Sequence, residues 1–239
     1  MRAACPPTRA RAPRSFSVPE DGFLLAIRDA PYDEGVRLIY ADWLEEHGHP
    51  LRAAFLRLAC DLRRRNSGEP GYADALERWL EEQSRVSADW LDDLDVRVNG
   101  LPLPRLLVDH LADGRWMSPD FAAVLQLFPE EREFCPYALP VMQSETLAYQ
   151  RRASRMWLGT ADPRRPPGDL VPRLAVLIAD FGIGADRPIA LDYRVSLGQP
   201  RVVVLCWSAY DPAIPWGDGN RWVEVSPSFQ DFAELIGLQ

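Results

Sequence analysis

The sequence has no lysine: all 27 basic residues are arginine, a uniform usage that points to GC-rich coding rather than to an arginine-specific recognition role. Cysteine is scarce. Cys5, Cys60, Cys135 and Cys206 are scattered without a CxxC pair, which predicts reduced, buried thiols in a cytoplasmic protein. No apolar run approaches the ~20 residues of a membrane span, so no membrane association is expected. GxSxG, a Cys–His pair in local context and a P-loop are all missing, so no enzyme and no cofactor are expected. A surplus of positive charge is missing too. Against 35 acids the net charge is −8, which argues against binding nucleic acid directly and suits a partner with a basic surface.

What is present is an ordinary globular composition, 47% hydrophobic and 26% charged over 239 residues, enough for one large or two modest domains. The 22 prolines are about twice average usage and predict frequent loops and helix starts. Residues 1–14 carry Arg2, Arg9, Arg11 and Arg14 with no apolar stretch after them, and are expected to be a disordered tail or an over-extended start rather than a signal.

Residues 15–66 predict three short helices. Phe23, Leu24 and Ile27 line the first. Asp33 caps a second in which Val36, Ile39, Tyr40, Trp43 and Leu44 face inward, and Gly48 ends it. Pro50 opens a third with Leu51, Phe55, Leu58 and Leu62 inward. Residues 67–98 hold a connecting helix with Tyr72, Leu76, Trp79 and Leu80 on one side, with Trp90, Leu91 and Leu94 beyond it. Asn99-Gly100 is taken as the boundary of a second domain over 99–239. That part begins with helices at 106–111, from Ser118 to Phe128, and at 141–157, where Met142, Leu147, Met156 and Trp157 are candidate core residues. The stretch 129–140 is expected to be irregular, and 160–172 a surface loop.

Residues 175–238 read as strands closed by a helix. The run 176–178 stops at Asp180, and Gly182-Ile183-Gly184 makes a turn. Ile189, Leu191 and Tyr193 alternate with polar or small residues as in a strand with one buried face. Residues 202–207 are apolar throughout, as in a central strand. A Pro- and Gly-rich loop leads to Trp222, Val223 and Val225. Ser228 and Asp231 then have the spacing of a capping box ahead of Phe229, Phe232, Leu235 and Ile236.

The motifs DFGIGADRPIALDYR, VVVLCWS and GNRWVEVSPSFQDFAELIGL resemble the carboxyl-terminal part of the SUKH superfamily. Its members include immunity proteins of polymorphic toxin systems and fungal regulators of cell-wall synthesis. Upstream, Arg37-Leu38-x-Tyr40-Ala41-Asp42-Trp43-Leu44-Glu45-Glu46 resembles the repeat-companion domain of planctomycete proteins. The resemblance implies an α+β chain: a three-helix module, then a SUKH-like domain with a mainly antiparallel sheet flanked by helices. It also implies a non-enzymatic protein-binding role, most simply an immunity protein that neutralises a basic toxin domain such as a nuclease or deaminase. A regulatory scaffold in signalling or cell-wall control, or an unrecognised hydrolase or metal-dependent enzyme, are the alternatives.

For contact with a protein partner the candidates are Tyr210, Trp216, Asp218, Arg221, Asp192 and Arg194, because Trp, Tyr and Arg recur at binding hot spots and loops on rigid scaffolds carry function. Three further features predict structure rather than chemistry. Asp180, Asp186 and Asp192 lie six apart and match no cation loop. His47 and His49 flank a helix end without a closed ligand set. His110, expected to be buried, is the sole histidine of the second part.

Overall fold

The computed structural model describes residues 18–31, 33–152, 170–181, 187–206 and 221–238. The chain is α+β. Its first three helices are α1 (Val18–Asp29), α2 (Glu34–Glu46) and α3 (Pro50–Arg64). Their ends follow local chemistry. The Asp33 carboxylate accepts the Gly35 N–H at 2.8 Å, Gly48 takes φ 82° as the chain leaves α2, and Pro50 sits in the first turn of α3. The buried faces differ from expectation at Ile39 and Leu51, which are 61% and 43% exposed. Instead α2 turns Arg37, Tyr40, Ala41 and Leu44 inward, itself an i, i+3, i+4, i+7 stripe. An arginine can occupy that face because a carboxylate waits inside.

Two further helices, α4 (Tyr72–Arg85) and α5 (Ala88–Leu94), bury Tyr72, Trp79 and Trp90. Asn99-Gly100 is a hairpin tip. It joins β1 (Arg97–Val98) to β2 (Leu101–Pro102), and φ of 48° and 90° at its two central residues makes a type I′ turn. Next come α6 (Arg105–Ala112), a 3-10 turn at Arg115–Met117, and α7 (Phe121–Leu127), capped by Asp120 through the Ala122 N–H at 2.9 Å. The stretch expected to be irregular contains a two-residue strand, β3 (Cys135–Pro136), followed by α8 (Leu139–Arg152). Met142 is buried but Leu147 is half-exposed, and Met156 and Trp157 lie outside the described residues.

Strands β4 (Ala175–Asp180), β5 (Ile189–Asp192), β6 (Arg201–Cys206) and β7 (Arg221–Ser226) join β3 in one antiparallel sheet of order β3-β4-β5-β6-β7. Central position covers β5 on both faces, so all four of its residues are buried, not one face alone. A register shift in β4 between Leu177 and Ala179 accompanies a hydrogen bond from the Leu177 N–H to the buried Thr146 hydroxyl of α8 at 3.0 Å. On that side Leu177, Ala190, Leu205 and Trp222 pack with Tyr149 of α8. On the other, Val176, Ile178, Leu191 and Val204 join one continuous buried cluster that runs from Leu24 on α1 to Leu238. Helix α9 (Phe229–Leu235) closes the sheet, its Ser228 hydroxyl accepting the Asp231 N–H at 3.1 Å as the capping-box spacing predicts.

The segment after α3 and strand β2 bond directly to the loop after β5. The Ser67 N–H donates to Val195 O at 2.8 Å, and the Tyr193 hydroxyl donates to Pro102 O at 2.6 Å. Gly198 lies so close to α3 that a Cβ there would sit 2.7 Å from Arg63 O. Among the described residues no helix is long and apolar enough to cross a membrane.

Candidate functional site

Where α1–α3, the β1–β2 hairpin, the 193–200 loop and the start of α9 converge, a cleft of about 400 Å³ opens. Its polar lining includes Arg28, Glu34, Arg63, Asp95, Gln199 and Gln230, and Leu103, Leu106 and Phe229 are among its apolar lining. Beneath it one carboxylate serves three guanidinium groups. Asp95 follows the last turn of α5. Arg37 reaches it from α2 at 2.7 Å, Arg63 from the last turn of α3 at 3.1 Å, and Arg97 from β1 at 3.1 Å. Arg37 and Arg97 are almost wholly buried, with side chains 3% and 4% exposed, whereas Arg63 and Asp95 keep 17% and 12% at the cleft.

Backbone carbonyls take part of the remaining demand. Arg37 Nη2 also donates to Leu94 O at 3.4 Å, and Arg97 Nη1 to Gly100 O at 2.8 Å. The Arg97 guanidinium lies over Phe55 and Trp79, 5.8 and 5.9 Å from their ring centroids. The Nε groups of both buried arginines have no partner among the described residues. Burial alone would raise the Asp95 carboxyl, but Arg63, Arg37 and Arg97 outweigh it and hold it well below the usual carboxylate range. Burial pushes the Arg37 and Arg97 guanidiniums down, but arginine remains a cation at neutral pH.

The loop that walls the cleft is clamped at both ends by Asp192. This carboxylate, fully buried at the end of β5, accepts the Arg194 side chain at 2.8 Å and the Arg201 side chain at 2.8 Å, and Arg201 continues to Glu224 at 3.0 Å. Asp192 and Arg194 were expected at a contact surface together with Arg221, and the structure separates them. Asp192 pairs with Arg201 at one end of β6, while Arg221 stands exposed beside Cys206 at the other end, about 16 Å away along the strand. Asp192 itself is enclosed, so its role is internal. Tyr210, Trp216 and Asp218 lie outside the described residues.

The remaining chemical candidates are placed as follows. Asp180 accepts the N–H groups of Phe181 and Arg187 at 2.7 and 2.9 Å. Asp192 faces Ala175 at the opposite end of β4, so the two carboxylates cannot share a cation. Gly182, Ile183, Gly184 and Asp186 lie outside the described residues. His47 stacks on Trp43 with ring centroids 4.0 Å apart and bonds Trp43 O at 2.7 Å, and His49 caps α3 without a side-chain bond. His110 is buried on α6 with neither ring nitrogen partnered among the described residues, and the charges that act on it are Arg115, Asp113 and Asp109, not Asp180 or Asp192. Burial pushes the Cys60 thiol up, which leaves it unreactive. Among the described residues no group of three or more His, Cys, Asp or Glu side chains is placed to hold a metal ion.

The motif around α2 acquires physical roles. Arg37 enters the Asp95 cluster, the Tyr40 hydroxyl donates to Glu20 at 2.8 Å and accepts from Trp90 at 3.0 Å, and Asp42 and Glu45 share Arg57 at 2.7 and 2.6 Å. The cleft residues Arg28, Arg63 and Asp95 carried one legible signal between them: an arginine at position 37, on the apolar face of α2, needs a buried carboxylate. No protein-family model, no curated protein and no solved structure matches the chain.

Proposed function

We propose that this chain is a non-enzymatic protein-binding module, an immunity-type protein that neutralises a toxin domain by holding it at the cleft above Asp95. The observation that carries the reading is the cleft itself. Its walls are rigid, because Asp192 clamps the loop ends and Gly198 presses the loop against α3. Its lining combines arginine with apolar surface, the composition of binding hot spots. A net charge of −8 steers a basic partner towards the molecule from a distance, while the cleft supplies short-range specificity.

Affinity capture from the native cell tests this, with the whole chain as bait because helical and sheet segments both line the cleft. A Gln199→Trp bait fills the cleft without touching an ion pair. One toxin-like partner, retained by the natural chain and lost by the variant, is the expected result. A spread of housekeeping proteins would favour the regulatory-scaffold alternative, and equal capture by both baits would remove the cleft from the account.

A further inference from the structure

The ion pairs around the cleft are balanced except at its floor. Arg28 has Asp93 at 3.2 Å, Arg64 has Glu34 at 3.0 Å and Arg105 has Asp109 at 2.8 Å. The Asp95 cluster sets three guanidiniums against one carboxylate, a local positive surplus in a chain of net charge −8. Uncompensated charge removed from water is costly, and backbone carbonyls offset only part of it. Arg63 is where this surplus meets the cleft. It uses Nη2 alone on Asp95, its other nitrogens have no partner among the described residues, and it lines the cleft.

We propose that the floor of the cleft binds a carboxylate of the partner protein, an aspartate or glutamate side chain flanked by apolar residues, on the guanidinium of Arg63. This rests on the protein-binding reading above and names the chemistry of its anchor. The guanidinium is a planar fork that matches a carboxylate through two parallel N–H bonds. Asp95 already fixes it in place, so binding costs little further ordering of this side chain. Ile27, Leu94, Leu103, Leu106 and Phe229 supply apolar surface for the flanking residues. Arg28 stands at the rim, 55% exposed, as a second cation.

The test uses the full chain labelled with nitrogen-15 and follows the arginine Nε–Hε signals during titration. The probes are the blocked tripeptides acetyl-Leu-Glu-Leu-amide and acetyl-Leu-Gln-Leu-amide, and inorganic phosphate. The glutamate peptide is expected to move the Arg63 signal saturably, with the glutamine peptide about tenfold weaker, the loss of one charge-assisted bond pair. Gln199→Glu places a negative charge in the cleft and leaves the Asp95 cluster intact, so it is expected to abolish the difference with an unchanged melting temperature.

Equal affinity for the two peptides, saturation by phosphate but not by peptide, or a still Arg63 signal would each overturn the proposal. Failure here with partner capture still lost in Gln199→Trp leaves the protein-binding role standing and removes only the carboxylate anchor. A glutamate preference without partner capture supports the anchor and removes the toxin partner.

Discussion

Replacing Asp95 with asparagine keeps the shape of the buried cluster and removes its one negative charge. Three guanidiniums then remain within 3.1 Å of the former carboxylate, two of them almost fully enclosed. Breaking a buried pair by deleting one partner costs about 3–5 kcal/mol. For a chain of this length each kcal/mol moves the melting temperature by about 2–4 °C, so Asp95→Asn is expected to melt about 6–20 °C lower. Urea unfolding followed by tryptophan fluorescence gives the same quantity at equilibrium, and Trp79 and Trp90 lie in the surrounding core. The pH dependence adds a second constraint. The folded carboxyl titrates below its ordinary value of 3.8, so its stabilisation is present above pH 3.8 and is lost as pH falls through the lower folded value. The gap between natural chain and variant is therefore flat near neutrality and closes in acid. A loss below about 1 kcal/mol, the range of a surface pair, would refute the reasoning by showing that water already solvates the cluster.

Three further outcomes follow from the geometry. Burial lowers the His110 pKa below 6.5, so as pH falls below that value the unfolded chain takes up the proton first and stability drops, by at most about 1.4 kcal/mol per pH unit. His110→Leu is expected to flatten this limb between pH 7.5 and 5.5 in urea titrations, and parallel curves would contradict it. Gly198→Ala brings a Cβ to 2.7 Å from Arg63 O and is expected to cost about 1–3 kcal/mol in thermal melts, whereas a natural melting point would mean the loop gives way freely. Ser228→Ala removes the cap of α9 and is expected to cost about 1 kcal/mol by urea unfolding, with no loss if water replaces the hydroxyl.

Local chemistry made much of the fold legible. Pro50, Asp33 and Ser228 mark helix ends that need only near neighbours, and the apolar run of β6 reveals a strand covered twice. Expectation failed where distant partners decide. Ile39 looked like core until Arg37 claimed the inward face of α2, a choice set by Asp95, 58 residues away. The β1–β2 hairpin around Asn99-Gly100 was not read at all, because strands of two residues leave no periodicity to read. The cleft was hidden for the same reason: it joins residues from α1, α3, the 193–200 loop and α9, and no single stretch contains it. Asp192 and Arg194 stood out in the sequence, and the structure places them in an ion pair that braces the cleft wall, Asp192 enclosed and Arg194 partly exposed.

Photo-crosslinking in the native cell tests the central claim most directly. A benzophenone side chain is placed at Gln230, on the cleft, and in a second chain at Glu81, exposed on α4 away from it. The account predicts one crosslinked protein from Gln230 and none from Glu81. Crosslinks from Glu81 with Gln230 silent would contradict it and move the binding surface off the cleft.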